Sequence, residues 1–261
     1  MIFNTMTKQL RILITGASSG IGRALTEHYA AQGQIVGAIA RREDIINQLA
    51  QTHSTIIPLP ADVTDAPAME QAIGRFALET GGLDIVYANA GIGQKNPQDA
   101  WEPDHARNLT NINVLGTLNT ITPSVQIMIE QQNGHLVGIS SLAAHTPLPH
   151  AASYGASKKW MNFYLQSLAM DLEQYNIKCT VVMPGHVSTA MVDGEDKVGL
   201  ITPGAKRAAK LIANKVAQGQ TMIRFPRKMA LLTQIAACLP KSIRANMQRK
   251  RLQKRKTHRG E

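Results

Sequence analysis

Residues 10–22 read LRILITGASSGIG, an apolar run that leads directly into a loop with three glycines. The run predicts a buried strand over residues 10–15, and the pattern after the loop predicts a helix over residues 21–32. Glycines at such a turn let a pyrophosphate approach the backbone, and the N–H groups of the helix N-terminus attract a phosphate. Because the GxxxGxG spacing departs from the GxGxxG fingerprint, a glycine turn that only packs the helix on the strand remains an alternative.

The same alternation of short apolar runs and helical patterns continues along the chain. Further strands are predicted at residues 34–40, 55–59, 83–88, 135–140, 178–183 and 220–225. Helices are predicted at residues 43–52, 66–79, about 104–131, 153–174 and 203–217, with Asp65 and Thr202 as N-caps and Pro203 at a first helical position. This alternation predicts an α/β fold with a single doubly wound domain. We expect a mostly parallel sheet of six to seven strands, with helices on both faces and ligands at the carboxyl ends of the strands.

Charge is concentrated at the end of the chain. The 261 residues carry a net charge of +10, and residues 241–261 hold nine basic residues and one acid, so +8 of that charge lies in the tail. We expect one domain over residues 1–225 and a C-terminal helical extension with a basic tail over residues 226–261. Two distant cysteines exclude a disulfide scaffold, and no apolar run reaches the length of a membrane-spanning helix. Residues 1–9 lack an apolar signal core, so a cytoplasmic location is expected.

The basic tail has three interpretations. It is a solvated, frayed C-terminus, or, together with the apolar residues 229–239, it attaches to an anionic membrane surface or another acidic partner. Nucleic acid is the third interpretation and is disfavoured, because no aromatic residue that could stack on a base follows Phe225.

The end of the second predicted strand bears on the choice of nucleotide. NAD sites carry an acid about 20 residues after the glycine loop, but Ala40 stands at that place and Arg41 and Arg42 follow it. A guanidinium group suits a 2′-phosphate, so NADP(H) is the predicted cofactor. A solvated basic pair is the alternative, although basic residues are unfavourable at a helix N-terminus.

Tyr154 and Lys158 lie four residues apart in YGASK, so a helix would place both on one face. A phenol with a pKa near 10 is a poor acid–base group at neutral pH, and a nearby ammonium lowers that pKa. Tyr154 can then donate a proton to a carbonyl oxygen as hydride arrives, or accept one in reverse. Ser141, at the end of the fifth predicted strand, can hold the same oxygen. An ordinary exposed helix face is the alternative for the Tyr–Lys pair alone.

Taken together, the motifs resemble the short-chain dehydrogenase/reductase family of Rossmann-fold oxidoreductases. The match covers about residues 8–225 and consists of TGASSGIG at 15–22, Asp62-Val63, Asn89-Ala90-Gly91, Asn113 in NINVLG, Ser140-Ser141, YGASK at 154–158 and PGHVST at 184–189. The resemblance implies an NADP(H)-dependent enzyme that interconverts a ketone or aldehyde and an alcohol by hydride transfer. A 3-oxoacyl thioester reductase of the same family and a non-catalytic NADP-binding regulator that acts through the basic tail are the alternatives.

The resemblance also implies a role for each catalytic residue. Tyr154 is the acid/base, Lys158 lowers its pKa and binds the nicotinamide ribose, and Ser141 positions the carbonyl. Asn113 holds a water that links Lys158 to solvent. Ser140 fits less well than Ser141, because the family spacing to the tyrosine is met by Ser141. No metal is implied, since the nicotinamide carries the hydride chemistry.

Binding residues follow from the same resemblance. The implied cofactor residues are Gly16, Ser18, Ser19, Gly20, Ile21, Gly22, Arg41, Arg42, Asp62, Val63, Asn89, Ala90, Gly91, Tyr154, Lys158, Pro184, Gly185, Val187 and Thr189. Among these, Asp62 and Val63 contact adenine, whereas Val187 and Thr189 hold the carboxamide.

The substrate side is expected in the loops that follow the fifth and sixth predicted strands. Residues 187–202 correspond to the family's substrate lid, and the candidate substrate contacts are Ser141, Leu142, His145, His150, His186 and Met191. Solvated loop residues are the alternative reading of the histidines, which lack metal-ligand spacing. A homodimer or homotetramer is expected, because the helices after the fourth and fifth strands pair across a two-fold axis in the family.

Overall fold

The computed structural model describes residues 9–93, 102–148, 151–187, 204–240 and 243. Seven strands occur within these residues: β1 (Arg11–Thr15), β2 (Ile35–Ala40), β3 (Ile56–Pro60), β4 (Ile85–Ala88), β5 (Gly134–Ile139), β6 (Ile177–Pro184) and β7 (Met222–Phe225). They form one sheet in the order β3-β2-β1-β4-β5-β6-β7, and every neighbouring pair is parallel. The predicted fold class is therefore confirmed.

Helices cover both faces of this sheet. They are α1 (Gly20–Ala30), α2 (Glu43–Thr52), α3 (Ala66–Thr80), α4 (Pro103–Thr110), α5 (Gly116–Gln131), α6 (Ala152–Leu172), α7 (Ala205–Ala217) and α8 (Arg227–Cys238). One apolar core packs α1, α2 and α7 against the sheet, and a second core packs α3, α5 and α6 against the opposite face. Burial on both faces explains why the strands are almost continuously apolar.

The strand order reverses at β1, which lies between β2 and β4. Crossovers leave β1 towards one edge of the sheet and later return to the other side of it, and ligands of open α/β sheets bind outside the carboxyl ends of the strands at such a point. The glycine loop follows β1 and the segment Asn89-Ala90-Gly91 follows β4. Both predicted cofactor segments therefore lie at the switch point.

Three helix predictions need correction. The predicted helix over residues 104–131 is interrupted by a π-helical turn at Asn111–Leu115, between α4 and α5. The predicted helix over residues 153–174 ends at Leu172 and passes into a 3-10 turn. Helix α7 begins at Ala205 with Gly204 in the N-cap position, so the predicted start at Pro203 is wrong. Glycine is accepted at an N-cap because that residue is not yet helical; Thr202 and Pro203 lie outside the described residues. By contrast, the Asp65 carboxylate caps α3 as predicted, accepting from the Ala68 N–H at 3.0 Å.

Helix α8 lies within the predicted C-terminal extension, where it packs against β7 and against the turn that follows Ser141. The domain boundary at residue 225 stays a prediction. In the part of the chain that the structure describes, no helix is both long and apolar enough to cross a membrane.

Candidate active site

A buried threonine joins the two strands at the switch point. The Thr15 hydroxyl accepts hydrogen bonds from the N–H groups of Asn89 and Ala90 at 3.0 and 3.1 Å. The Asn89 side-chain amide donates to the Thr15 carbonyl at 2.8 Å. These bonds hold the glycine loop and the Asn89-Ala90-Gly91 segment side by side. Thr15 was not among the predicted site residues, and its signal was a polar residue directly after the apolar residues 12–14 of β1.

Backbone conformation explains the glycines of the loop. Gly16 and Gly20 have φ angles of 70° and 57°, in the left-handed region that favours glycine. A side chain on Gly22 would overlap the Gly16 carbonyl oxygen and the Asn89 amide nitrogen. Helix α1 starts at Gly20, its N-cap Ser19 makes no side-chain cap, and its first turn contains no acid. Its N–H groups therefore suit a phosphate, which fits the expected pyrophosphate of a dinucleotide.

Arg41 and Arg42 lie beside this loop, at the carboxyl end of β2. The Arg42 Nε and Nη2 atoms donate to the Ser18 hydroxyl at 3.2 and 2.9 Å. Arg41 Nη1 lies 3.6 Å from an Asp62 carboxylate oxygen. Burial by itself would raise the pKa of Asp62, but hydrogen bonds from Thr64 and the nearby Arg41 leave that pKa below its ordinary value. The structure thus brings Arg42 to the glycine loop and Arg41 to Asp62, and these are residues predicted to bind the dinucleotide.

Val63, which is predicted to contact adenine together with Asp62, is buried. Its carbonyl oxygen accepts from the Asn119 side-chain amide at 2.9 Å, so α5 holds the segment after β3 in place. A side chain on Gly116, at the start of α5, would meet the Val63 methyl carbon at 2.7 Å. The hydrogen bond from Asn119 and the close packing against Gly116 therefore fix the position of Val63.

The four predicted catalytic residues come together at the ends of β4 and β5. The Ser141 hydroxyl hydrogen-bonds the Tyr154 phenol. Lys158, one helical turn after Tyr154 on α6, is buried and its Nζ donates to the Ile139 carbonyl at 2.9 Å. A Cβ atom added to Gly91 would lie 3.1 Å from Asn113 Oδ1 and 3.3 Å from Lys158 Nζ. Gly91 therefore leaves room at a point where the two side chains converge.

Asn113 owes its position to the π-helical turn, which turns it into the interior, where it is fully buried. Its Oδ1 accepts from the Ile92 N–H at 2.8 Å, and its Nδ2 donates to the Ile92 carbonyl at 3.0 Å and to the Ser157 hydroxyl at 3.1 Å. Ser157 was not a predicted site residue, although it stands inside the YGASK motif. Extra residues in a helical turn are frequent at functional sites.

The neighbouring serines Ser140 and Ser141 have different hydrogen-bond partners, which distinguishes their roles. The Ser140 hydroxyl is buried and donates to the Lys158 carbonyl at 3.0 Å, so it supports the backbone of α6. Ser141 is the serine that meets the Tyr154 phenol. Its Oγ also accepts from the Ala143 N–H at 3.1 Å, which orients the side chain.

Burial governs the titration of the Tyr–Lys pair. It lowers the pKa of Lys158 to about 8. Burial also raises the pKa of Tyr154, and the hydrogen bond with Ser141 opposes that shift only in part. The net direction for Tyr154 is upward, so the phenol is the proton-carrying form at neutral pH; the lowering expected from Lys158 stays a prediction.

His145 is tied to α8. Its Nδ1 lies 2.8 Å from the Thr233 hydroxyl, and that hydroxyl already donates to the Ala230 carbonyl at 2.9 Å. His145 Nδ1 must therefore be the donor, which leaves Nε2 as the acceptor of the neutral ring. Nε2 is buried and has no hydrogen-bond partner among the described residues. Burial lowers the pKa of His145, with Arg224 and Lys159 adding to the effect.

The remaining predicted contacts lie at the end of β6 and beyond it. Pro184 and Val187 are buried, Gly185 donates from its N–H to the Phe225 carbonyl at 2.7 Å, and His186 is exposed. Leu142 is buried near Gly185. Of the other predicted residues, His150, Thr189 and Met191 lie outside the described residues, as does the lid beyond Val187.

Comparison with known proteins identifies the family of the chain. The family model described as short chain dehydrogenase matches residues 11–198. The chain is 32% identical over 232 residues to an uncharacterized oxidoreductase of Myxococcus xanthus, covering 87% of this chain and 92% of that one. The protein belongs to the short-chain dehydrogenase/reductase family and is an oxidoreductase of that family.

Solved structures show the same fold. A 3-ketoacyl-ACP reductase from Sinorhizobium meliloti 1021 superposes with a TM-score of 0.75 at 29% identity, covering 85% of this chain and 99% of that chain. A short-chain dehydrogenase/reductase from Burkholderia phymatum, solved in complex with NAD, superposes with a TM-score of 0.79 at 20% identity over 87% of this chain and 92% of that chain. The chain thus shares its fold with both proteins.

Proposed function

We propose that this protein is an NADP(H)-dependent oxidoreductase that interconverts a ketone or aldehyde and an alcohol. The observation that carries the proposal is the convergence of Ser141, Tyr154 and Lys158 at the same edge of the sheet as the glycine loop. A bound nicotinamide would supply or accept the hydride. The protein then has to bind the dinucleotide, orient the carbonyl and move one proton.

Cofactor binding is assigned to the residues around the switch point. The N-terminus of α1 and the glycines would hold the pyrophosphate, and Arg41 and Arg42 the 2′-phosphate. Asp62 and Val63 would contact adenine. Asn89 and Gly91 would line the cofactor cleft, with Ala90 between them, and Val187 and Thr189 would hold the carboxamide. Pro184 and Gly185 would contact the cofactor nearby.

Proton transfer is assigned to the Tyr154 phenol. In reduction, the Ser141 hydroxyl holds the substrate oxygen next to Tyr154, and the phenol proton passes to that oxygen. The resulting phenolate would be stabilised by the Lys158 ammonium. Asn113 Oδ1 and Lys158 Nζ converge near Gly91, which supports a water-linked relay that returns the proton.

A substrate screen tests this function. We expect NADPH absorbance to fall when the purified protein is given an accepted ketone or aldehyde, and the loss to require both protein and carbonyl. The panel should include aliphatic, aromatic and cyclic carbonyls as well as 3-oxoacyl thioesters. Tight NADPH binding with no turnover across the whole panel would contradict the proposal and favour the non-catalytic regulator.

A 3-oxoacyl thioester reductase is the second candidate. It is supported by the similarity to the Sinorhizobium meliloti reductase at 29% identity and by the basic residues 241–261, which would suit an acidic carrier protein. Faster turnover of 3-oxoacyl thioesters than of simple ketones would favour it.

The nucleotide preference can be tested at Arg41. We expect Arg41→Ala to weaken NADPH binding by about ten- to a hundredfold, because a hydrogen bond to a charged group contributes about 1.5–3 kcal/mol. NADH binding should change little, since NADH has no 2′-phosphate. Fluorescence titration with each nucleotide measures both affinities.

The matched control for Arg41 is Arg75→Ala. Arg75 is also an exposed arginine that pairs with a carboxylate, Glu79, but it lies on α3. Its replacement should leave both affinities unchanged. Equal affinity of the unaltered protein for NADPH and NADH would contradict the NADP(H) assignment.

We also propose that the protein is a homodimer or homotetramer and works in the cytoplasm. Helix α6 supports the oligomer, because Phe163 and Met170 are 73% and 72% exposed and lie two turns apart on it. Light scattering should give a mass that is a multiple of the 28.4 kDa chain. The mass of a single chain at working concentrations would contradict the proposal.

A further inference from the structure

Helix α8 presents an apolar surface to solvent. Leu231, Leu232 and Ile235 are 58%, 61% and 51% exposed. Ile235 lies four residues after Leu231 and three after Leu232, which places all three on one side of the helix. Exposed leucines and isoleucines that cluster in this way are typical of an interaction site rather than of an ordinary surface.

The opposite side of α8 is attached to the protein. Ala230 is buried, and the Thr233 hydroxyl holds His145 at 2.8 Å. A side chain on Gly185 would meet the Met229 sulfur at 2.8 Å, which shows how closely α8 approaches the end of β6. The outer apolar surface is therefore held in a fixed orientation and is not needed for packing.

The charged residues that precede and follow α8 in the sequence, from 197 to 260, all have the same sign. Residues 197–260 contain 17 lysines and arginines and no aspartate or glutamate. Arg227 and Lys228 are exposed at the start of the helix, and nine further basic residues follow it in residues 241–259. A partner that covers both features must offer apolar groups next to dense negative charge.

We propose that α8 and the basic tail attach this enzyme to an anionic lipid surface. Leu231, Leu232 and Ile235 would enter the boundary between headgroups and acyl chains, while the lysines and arginines would contact lipid phosphates. A short apolar helix combined with a polybasic segment provides the two signals that stable peripheral attachment needs.

Two other occupants fit the surface less well. A second copy of the chain on α8 would bring two acid-free, strongly basic segments together, and their repulsion would oppose pairing. A nucleic acid would satisfy the charge but leave the aliphatic side chains in water, and no aromatic residue follows Phe225 to stack on a base.

Vesicle flotation with the full-length protein tests the proposal. The protein should float with phosphatidylcholine vesicles that contain phosphatidylglycerol and stay behind with vesicles of phosphatidylcholine alone. The triple variant Leu231→Ser/Leu232→Ser/Ile235→Ser should lose affinity for the anionic vesicles by on the order of tenfold or more, because three apolar contacts are lost. A tail variant with Lys250, Arg251, Lys254, Arg255 and Lys256 all changed to Gln should lose binding to a similar extent or more.

Leu78→Ser is the matched control, since Leu78 is 86% exposed on α3, on another part of the surface. It should float like the unaltered protein. Unchanged NADPH binding in the triple variant would show that its fold is intact. Because neither flotation nor nucleotide binding requires turnover, the test of lipid attachment does not depend on the proposed reaction.

Several outcomes would overturn the lipid assignment. Full binding by the triple variant would show that α8 takes no part, and full binding by the tail variant would show the same for the basic residues. Equal flotation with neutral vesicles would remove the electrostatic basis. No flotation, combined either with RNA binding or with a loss of oligomeric mass in the triple variant, would identify one of the other occupants instead.

Discussion

Tyr154→Phe should reduce kcat by about two to four orders of magnitude, the usual contribution of a positioned general acid or base. The substitution removes only the phenolic oxygen, which is the group that Ser141 contacts. Nucleotide binding should persist, because Lys158 keeps its bond to the Ile139 carbonyl and the glycine loop is untouched. Steady-state NADPH oxidation with an accepted carbonyl measures the first effect, and fluorescence titration of the nucleotide measures the second.

Tyr164→Phe provides the control on the same helix. Tyr164 stacks on Trp160 with ring centroids 4.9 Å apart and lies ten residues beyond Tyr154, so losing its hydroxyl should leave turnover within about twofold of normal. If Tyr154→Phe and Tyr164→Phe turn over at the same rate, the phenol is not the acid–base group and the proposed reaction is wrong.

Gly22→Ala should be the most damaging small substitution in the nucleotide site. The added methyl group would overlap the Gly16 carbonyl and the Asn89 side chain, both of which belong to the switch point. Helix α1 must then move away from the loop, at a cost of about 1–3 kcal/mol in the free energy of unfolding. Because its N-terminus is the expected phosphate site, we expect nucleotide affinity to fall by on the order of tenfold or more, equivalent to about 1.4 kcal/mol.

Gly74→Ala is the same chemical change at a position without neighbours. Gly74 lies in α3, and a Cβ atom there meets nothing within 4 Å. Replacing a glycine inside a helix should stabilise the protein by about 0.5–1 kcal/mol and leave nucleotide affinity alone. Chemical denaturation and nucleotide titration of both variants make the comparison. Equal nucleotide affinities would contradict the role given to Gly22.

Local patterns were sufficient for most of the fold. The seven strands are apolar runs bounded by loops, and Asp65 sits immediately before the apolar periodicity of α3, so both could be predicted from nearby residues. The Tyr154–Lys158 pair was also accessible, since a spacing of four on a helix places two side chains together.

The features that escaped prediction depend on distant partners. Asn113 is turned inward by bonds to Ile92 and Ser157, which lie 21 and 44 residues away in the sequence. The contact between His145 and Thr233 joins residues 88 positions apart, and no local sequence pattern at either residue predicts it. Arg42 reaches Ser18 across 24 residues, so the sequence indicated a basic pair but not which hydroxyl it would meet.

The reversal of strand order at β1 has a consequence for how this enzyme can diversify. Arg41, Arg42 and Asp62 follow β2 and β3, on one side of the reversal, whereas Ser141 and Tyr154 follow β5, on the other. On the proposed assignments, the residues that select between NADPH and NADH and the residues that receive the substrate oxygen therefore lie on opposite sides of β1. Substitutions at Arg41 or Arg42 would then change nucleotide preference without altering a side chain that meets the substrate, whereas Lys158 would serve both the nicotinamide ribose and Tyr154.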